Sequence, residues 1–270
     1  MAKKLIALIL VLGILGTLGG AMAEEALVPW EYEVPLADLQ TGFLTMNNRE
    51  NLLTEDFEEP EDLVRLTVQC TSTSAVLLRE EASNALVRLF TMAQRQGINL
   101  YANSGYRSFK TQKTMYNNRL ERIGEDDGVV AYPGACDNQT GLGVDVISKE
   151  WIGKQVDASF GQSAEGQWMA NNCWKYGFII RYPEDKTEIT LNAYQPWHLR
   201  YVGRRVATYM NNQNYSLEEF TLEWEAELQE FLDAGGDVEA TIAAAELPAG
   251  EIILTDEVGP DGDFEVSLYR

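Results

Sequence analysis

Histidine is almost missing from this 270-residue chain: His198 is the single one, beside three cysteines, Cys70, Cys136 and Cys173. One imidazole excludes any centre built on several histidines, and the lack of a Cys-x-x-Cys spacing excludes a structural zinc clip. An odd number of thiols permits at most one internal disulfide in an oxidising compartment; a Cys136–Cys173 bridge and a buried thiol are both open at this point. Positive charge is also scarce, with 21 Lys and Arg against 42 Asp and Glu, a formal net charge of −21. Such a surface is repelled by nucleic acid and anionic lipid, so nucleic-acid binding is excluded.

Long hydrophobic runs are absent apart from LIALILVLGILGTLGG near the start. Preceded by Lys3 and Lys4 and followed by the small residues of Ala21-Met22-Ala23, that run reads as an export signal over residues 1–23, short for a bilayer span. The expectation is a secreted or cell-envelope protein beginning near Glu24, with an uncleaved anchor as the alternative. Cleavage there removes two lysines and takes the formal charge from −21 to −23.

Residues 24–39 are an acidic lead-in, and Pro29, Pro35 and Pro60 favour turns and short elements up to about residue 70. Beyond it, Val76, Leu77, Ala82, Leu86, Leu89, Phe90 and Ala93 recur at helical spacing until Gly97, which predicts an amphipathic helix. INLYANSGYRS predicts a strand and a turn, followed by a polar helix from about Phe109 to Ile123; GLGVDVIS and FIIRYP predict strands, and AEGQWMANNCWKYG a helix between them. Helices and strands alternate with no regular βαβ period, so the fold class is α+β, a largely antiparallel sheet flanked by helices. Residues 40–216 form the main domain. Residues 217–270 form an acidic extension with sixteen Asp and Glu against Arg270 alone. Ser216 and Glu219 make a capping box, Phe220, Trp224, Leu228 and Phe231 an apolar stripe, and Pro260-Asp261-Gly262 the turn of a terminal β-hairpin.

Three blocks carry the chemistry: SGYRSFKTQ at 104–112, PGACDNQTGLGVDV at 133–146, and AYQPWHLRYVG at 193–203. In this order and spacing they resemble the VanY-like D-alanyl-D-alanine carboxypeptidases, zinc peptidases that trim peptidoglycan stem peptides. The resemblance covers roughly residues 40–220 and implies a hedgehog/DD-peptidase-like zinc peptidase fold. It also implies a metal held by two His and one Asp, with a Glu in Glu-Pro-Trp-His that takes the proton of the attacking water. By that pattern Asp145 and His198 stand at metal positions, Asn138 replaces the third ligand, and Gln195 replaces the general base. Cys136 replaces the family's Ser two residues before the first His, and Leu191-Asn192 stands where a Gly usually follows Ile-Thr, beside the pocket. Arg107, with Ser104, Tyr106 and Gln112, matches the positions that hold the peptide, a guanidinium suiting a terminal carboxylate.

An amide oxygen is a poor zinc donor and a carboxamide is no base near neutral pH, so the reading is a catalytically impaired member that binds stem peptides with zinc weak or absent. One alternative is an active zinc carboxypeptidase that recruits another ligand, Asp137 being nearest. Another is a non-catalytic protein whose acidic C-terminal extension binds a protein partner. A Cys136–His198 nucleophile and base is the least favoured. On an ideal strand Gln195 and His198 face opposite sides, so their convergence is implied by the resemblance alone.

Overall fold

The computed structural model describes residues 41–245. The expected signal, the lead-in at 24–39 and the terminal hairpin lie outside the described residues.

In chain order the strands are β1 (Leu63–Arg65), β2 (Leu77–Arg79), β3 (Leu100–Ser104), β4 (Gly143–Ser148), β5 (Phe178–Ile180) and β6 (His198–Tyr201). The helices are α1 (Glu80–Arg95), α2 (Phe109–Ile123), α3 (Ala164–Asn172), the one-turn α4 (Thr187–Thr190), α5 (Arg204–Gln213), α6 (Leu217–Asp233) and α7 (Val238–Ala245). The main sheet runs β3-β4-β6-β5 with every pairing antiparallel, and β1 and β2 form a separate antiparallel pair. The α+β expectation holds.

Every residue of β4 is buried, which accounts for its unbroken apolar character around Asp145. Helix α1 covers the sheet with Ala82, Ala85, Leu86, Leu89 and Ala93, all fully buried against a core that includes Ala102, Val144, Val146 and Leu199. Burying a Leu of this kind contributes about 1.5–3 kcal/mol. The helix starts later than its apolar spacing suggests: Val76 lies before it and Leu77 belongs to β2, where it pairs with Arg65. Strand pairing claims these residues, and the acidic first turn, Glu80 and Glu81, marks the true start.

Helix α2 has the predicted bounds because both ends carry their signals: the Ser108 side chain accepts a hydrogen bond from the Thr111 amide, and Gly124 takes a left-handed conformation at φ 90°. Gly105 is required where the chain turns from β3 toward α2. A Cβ there would lie 2.3 Å from the Leu77 carbonyl oxygen, the same oxygen that accepts the Tyr106 amide at 2.7 Å.

A second core joins Val206 and Met210 of α5 to Leu217 and Phe220 of α6, with Leu44 and Ile179. The acidic extension is therefore anchored through its first turn, and its capping box is formed as expected. Further along the stripe, Trp224, Leu228 and Phe231 are only half-buried, and Leu222 is 72% exposed.

On α6, burial and the neighbouring Glu223 and Glu230 push Glu227 up to about 7. Its folded-state pKa lies above its unfolded one, so its contribution is fully present below about pH 4.5 and is lost as pH rises through 7. E227Q therefore stabilises the fold at pH 8, by less than about 1 kcal/mol since the group is partly solvated, and leaves its melting temperature unchanged at pH 4. Thermal melts at the two pH values check this; an equal shift at both would discard the electrostatic cause.

Candidate functional site

Sheet register places the central side chains. Asp145 of β4 lies opposite His198 of β6 on one side and opposite Ser104 of β3 on the other, the latter across an irregularity between Ala102 and Ser104. Residues opposite one another in an antiparallel pair share a face, so three strands set Ser104, Asp145 and His198 in a row. Gln195 joins them through a turn in which the His198 amide donates to the Gln195 carbonyl at 3.0 Å. That turn removes the alternation of an ideal strand, and both side chains line one cleft of about 570 Å³.

Arg107 enters from the turn before α2, its amide bonded to the Asn138 carbonyl at 3.0 Å. Its guanidinium donates to Ser104 Oγ at 3.1 Å, Gln112 Oε1 at 3.0 Å and Asp145 Oδ2 at 2.9 Å. Ser104 and Gln112 thus orient Arg107, and Gln112, itself buried, is tied to the Ala131 carbonyl at 2.7 Å. Tyr106 is not brought to the cleft: its hydroxyl donates to Glu59 at 3.0 Å, and burial with that carboxylate pushes the phenol up to about 12. Leu191 and Asn192 do not line the cleft either. Leu191 is an exposed left-handed residue at φ 55°, a conformation that costs an L-residue about 1–2 kcal/mol and that a Gly adopts freely.

Asn138 sits on a 3-10 turn, Asp137–Thr140, packed against Gly143, where a Cβ would come within 2.8 Å of the Asn138 nitrogen. Its buried amide donates to the Gly105 carbonyl at 2.6 Å and the Gly143 carbonyl at 3.2 Å, while its oxygen accepts from Cys136 Sγ at 3.1 Å. His198 Nδ1 is 2.7 Å from Asp145 Oδ1, and its ring stacks on Tyr182 with centroids 5.3 Å apart. Burial would raise the Asp145 pKa, but the His198 hydrogen bond and the Arg107 guanidinium outweigh it and hold the carboxyl below its usual range. Burial likewise pulls His198 down, and the carboxylates of Asp137 and Asp145 more than offset this. At 3.7 Å from His198 Nε2, Asp137 acts as a charge; the buried Nε2 has no hydrogen-bond partner among the described residues.

Sequence reasoning missed the network under this row. Asp137 is fully buried between Arg181, 3.0 Å away, and Arg200, with which it forms a close ion pair. Arg181 also grips Glu218 of α6 with two bonds at 2.7 and 2.9 Å, and Arg200 donates to the carbonyls of Phe43 and Thr45, both at 2.9 Å. The one available signal was a charged residue in each of two apolar strand segments, FIIRYP and HLRYVG. Both carboxylate oxygens of Asp137, the residue nearest in sequence as a substitute ligand, are thereby engaged by arginines.

The three described cysteines are free thiols, so no Cys136–Cys173 bridge exists. Burial pushes the Cys136 thiol up to about 11, far from a ready nucleophile.

The profile of the family described as VanY: D-alanyl-D-alanine carboxypeptidase matches residues 75–204. YodJ of Bacillus subtilis (strain 168) is 39% identical over 192 residues, spanning 66% of this chain and 70% of that protein. The chain belongs to the VanY-like D-alanyl-D-alanine carboxypeptidase family. A D-alanyl-D-alanine carboxypeptidase of Enterococcus faecium is 35% identical over 54% of this chain and 45% of its own. Among solved structures, the LdcB LD-carboxypeptidase aligns at a TM-score of 0.60 and 39% identity over 65% of this chain and 84% of its own. A vancomycin resistance D,D-pentapeptidase VanY in complex with Zn(II) aligns at 0.55 and 28% identity over 66% and 98%.

The family's zinc therefore has to be tested against these residues. Among the described residues no group of three His, Cys, Asp or Glu side chains is placed to hold a metal ion. The third position offers a carboxamide whose nitrogen donates to two carbonyls, and Asp145 carries an arginine on one oxygen. This donor set does not fit the zinc of a VanY-like peptidase.

Proposed function

We propose that this VanY-like chain is an exported protein that binds peptidoglycan stem peptides ending in D-Ala-D-Ala and does not cleave them efficiently. The observation that carries the reading is the placing of Asn138 and Gln195 beside Asp145 and His198 in one cleft, a complete set of positions with a ligand and a base exchanged for amides. Relatives named D-alanyl-D-alanine carboxypeptidase, and VanYB in complex with D-alanine-D-alanine, supply the ligand class. Export rests on the N-terminal residues 1–23.

Gln195 cannot accept a proton near neutral pH, and its amide instead lies 3.4 Å from the Gly128 carbonyl. Loss of a general base costs ~10²–10⁴ in rate, and a missing metal ligand adds to it. Arg107 remains the guanidinium nearest the reaction centre, held by Ser104, Gln112 and Asp145. A peptide carboxylate would use the one Nη2–H not bonded to Asp145, and the Nη1–H that the Met115 sulfur holds only weakly.

The test is calorimetric titration of the purified chain with a D-Ala-D-Ala peptide, run beside a D-alanine release assay with added zinc. Binding is expected, with release at least ~10²-fold below that of a family member with the His and Glu in place. Release at that member's rate would overturn the reading, as would absence of binding.

A further inference from the structure

The cleft departs from the charge of the molecule around it. The chain has twice as many acidic as basic residues, 42 against 21, yet the cleft is lined by Arg107, Arg119, Arg122 and Lys154 and by one carboxylate, Asp145. Two of these cations are neutralised within the protein: Arg107 by Asp145, and Arg119 by Asp127, whose oxygens both accept from it. Arg122 and Lys154 have no ion-pair partner among the described residues, and both are exposed at the cleft. A wall of this sign suits an anionic ligand and disfavours a dication.

Helix geometry sets the backbone spacing between Arg122 and Met115, the residue that the inner arginine touches. Arg107 Nη1 lies 3.8 Å from the sulfur of Met115, and Met115, Arg119 and Arg122 follow one another along the cleft face of α2. Seven residues of helix from Met115 to Arg122 span about 10 Å, close to three residues of extended peptide at about 3.3 Å each. We propose that Arg122 and Lys154 form a second anion-recognition point in the cleft, selecting peptides that carry an acidic side chain three residues before their C-terminal carboxylate. This rests on the peptide-binding reading and adds the charge of the peptide to it.

The experiment compares two blocked peptides, Ac-Glu-Ala-D-Ala-D-Ala and Ac-Gln-Ala-D-Ala-D-Ala, by calorimetric titration of the full chain and of R122Q/K154Q. The unsubstituted chain is expected to bind the Glu peptide about tenfold more tightly at low salt, a preference that shrinks as salt screens the exposed charges. In R122Q/K154Q the ratio of the two dissociation constants falls to about one. Equal, measurable affinities in the unsubstituted chain, or a ratio unchanged by the double substitution, would overturn the second anion point and leave the peptide-binding reading standing. Failure of both peptides to bind would remove the two together.

Discussion

D137N lowers the stability of the fold by about 3–5 kcal/mol, read as a fall in the urea midpoint with little change in slope. Asp137 is the carboxylate shared by Arg181 and Arg200, and all three side chains are fully shielded from solvent. Replacing it with a neutral isostere leaves two guanidinium groups facing each other in the interior with their common counter-charge gone. Arg181 keeps Glu218, whereas Arg200 keeps only the neutral side chain of Asn47 and three backbone carbonyls. The milder E218Q costs about 1.5–3 kcal/mol, because it weakens charge-assisted bonds at a partly exposed carboxylate and leaves Asp137 in place. If D137N fell below 1 kcal/mol, the buried network would not be what couples the strands to the first turn of α6. Should D137N fail to fold, E218Q still measures that coupling.

The same network marks the limit of what the sequence discloses. Elements whose signals are local were legible: Ser108 and Gly124 bracket α2, Ser216 and Glu219 open α6, and the apolar run of β4 names itself. Val76 and Leu77 were misplaced because an apolar pair before a helix satisfies a helical spacing as readily as a strand, and only the pairing of Leu77 with Arg65 decides between them. The β1 and β2 pair was hidden for the same reason. At the site, the family blocks carried Asn138, Asp145, Gln195 and His198 into one cleft, including the turn at Gln195 that strand alternation argued against. Tyr106 came with those blocks and points elsewhere, toward Glu59, a residue of the acidic stretch that no motif connects to it. Asp137, Arg181, Arg200 and Glu218 meet only after the chain has folded, so no periodicity announces them. Their separation in sequence also explains why Asp137 looked available as a ligand.

N138H/Q195E is expected to hold about one chelator-removable zinc per chain and to release D-alanine from a D-Ala-D-Ala peptide ~10²-fold or more faster than the unsubstituted protein. The two substitutions act in sequence. N138H supplies a second imidazole beside Asp145 and His198 and is expected to bind zinc without appreciable release, whereas Q195E alone does neither, so the double variant exceeds the product of the single effects. The change has a structural cost, because the Asn138 amide donates to both the Gly105 and Gly143 carbonyls and an imidazole cannot serve both; one lost bond of this kind costs about 1 kcal/mol. Arg107 sets a second condition, since its bond to Asp145 Oδ2 competes with a metal for that carboxylate. Elemental analysis after dialysis and a release assay on all four proteins separate the possibilities. Zinc in N138H/Q195E without release would mean that the base position was not the missing function, and stoichiometric zinc in the unsubstituted chain would mean that Asn138 is a working ligand after all. No zinc in either variant would place the obstacle to metal binding in the Arg107–Asp145–His198 row itself rather than in the two exchanged amides, because the Arg107 guanidinium would then hold Asp145 Oδ2 against the metal.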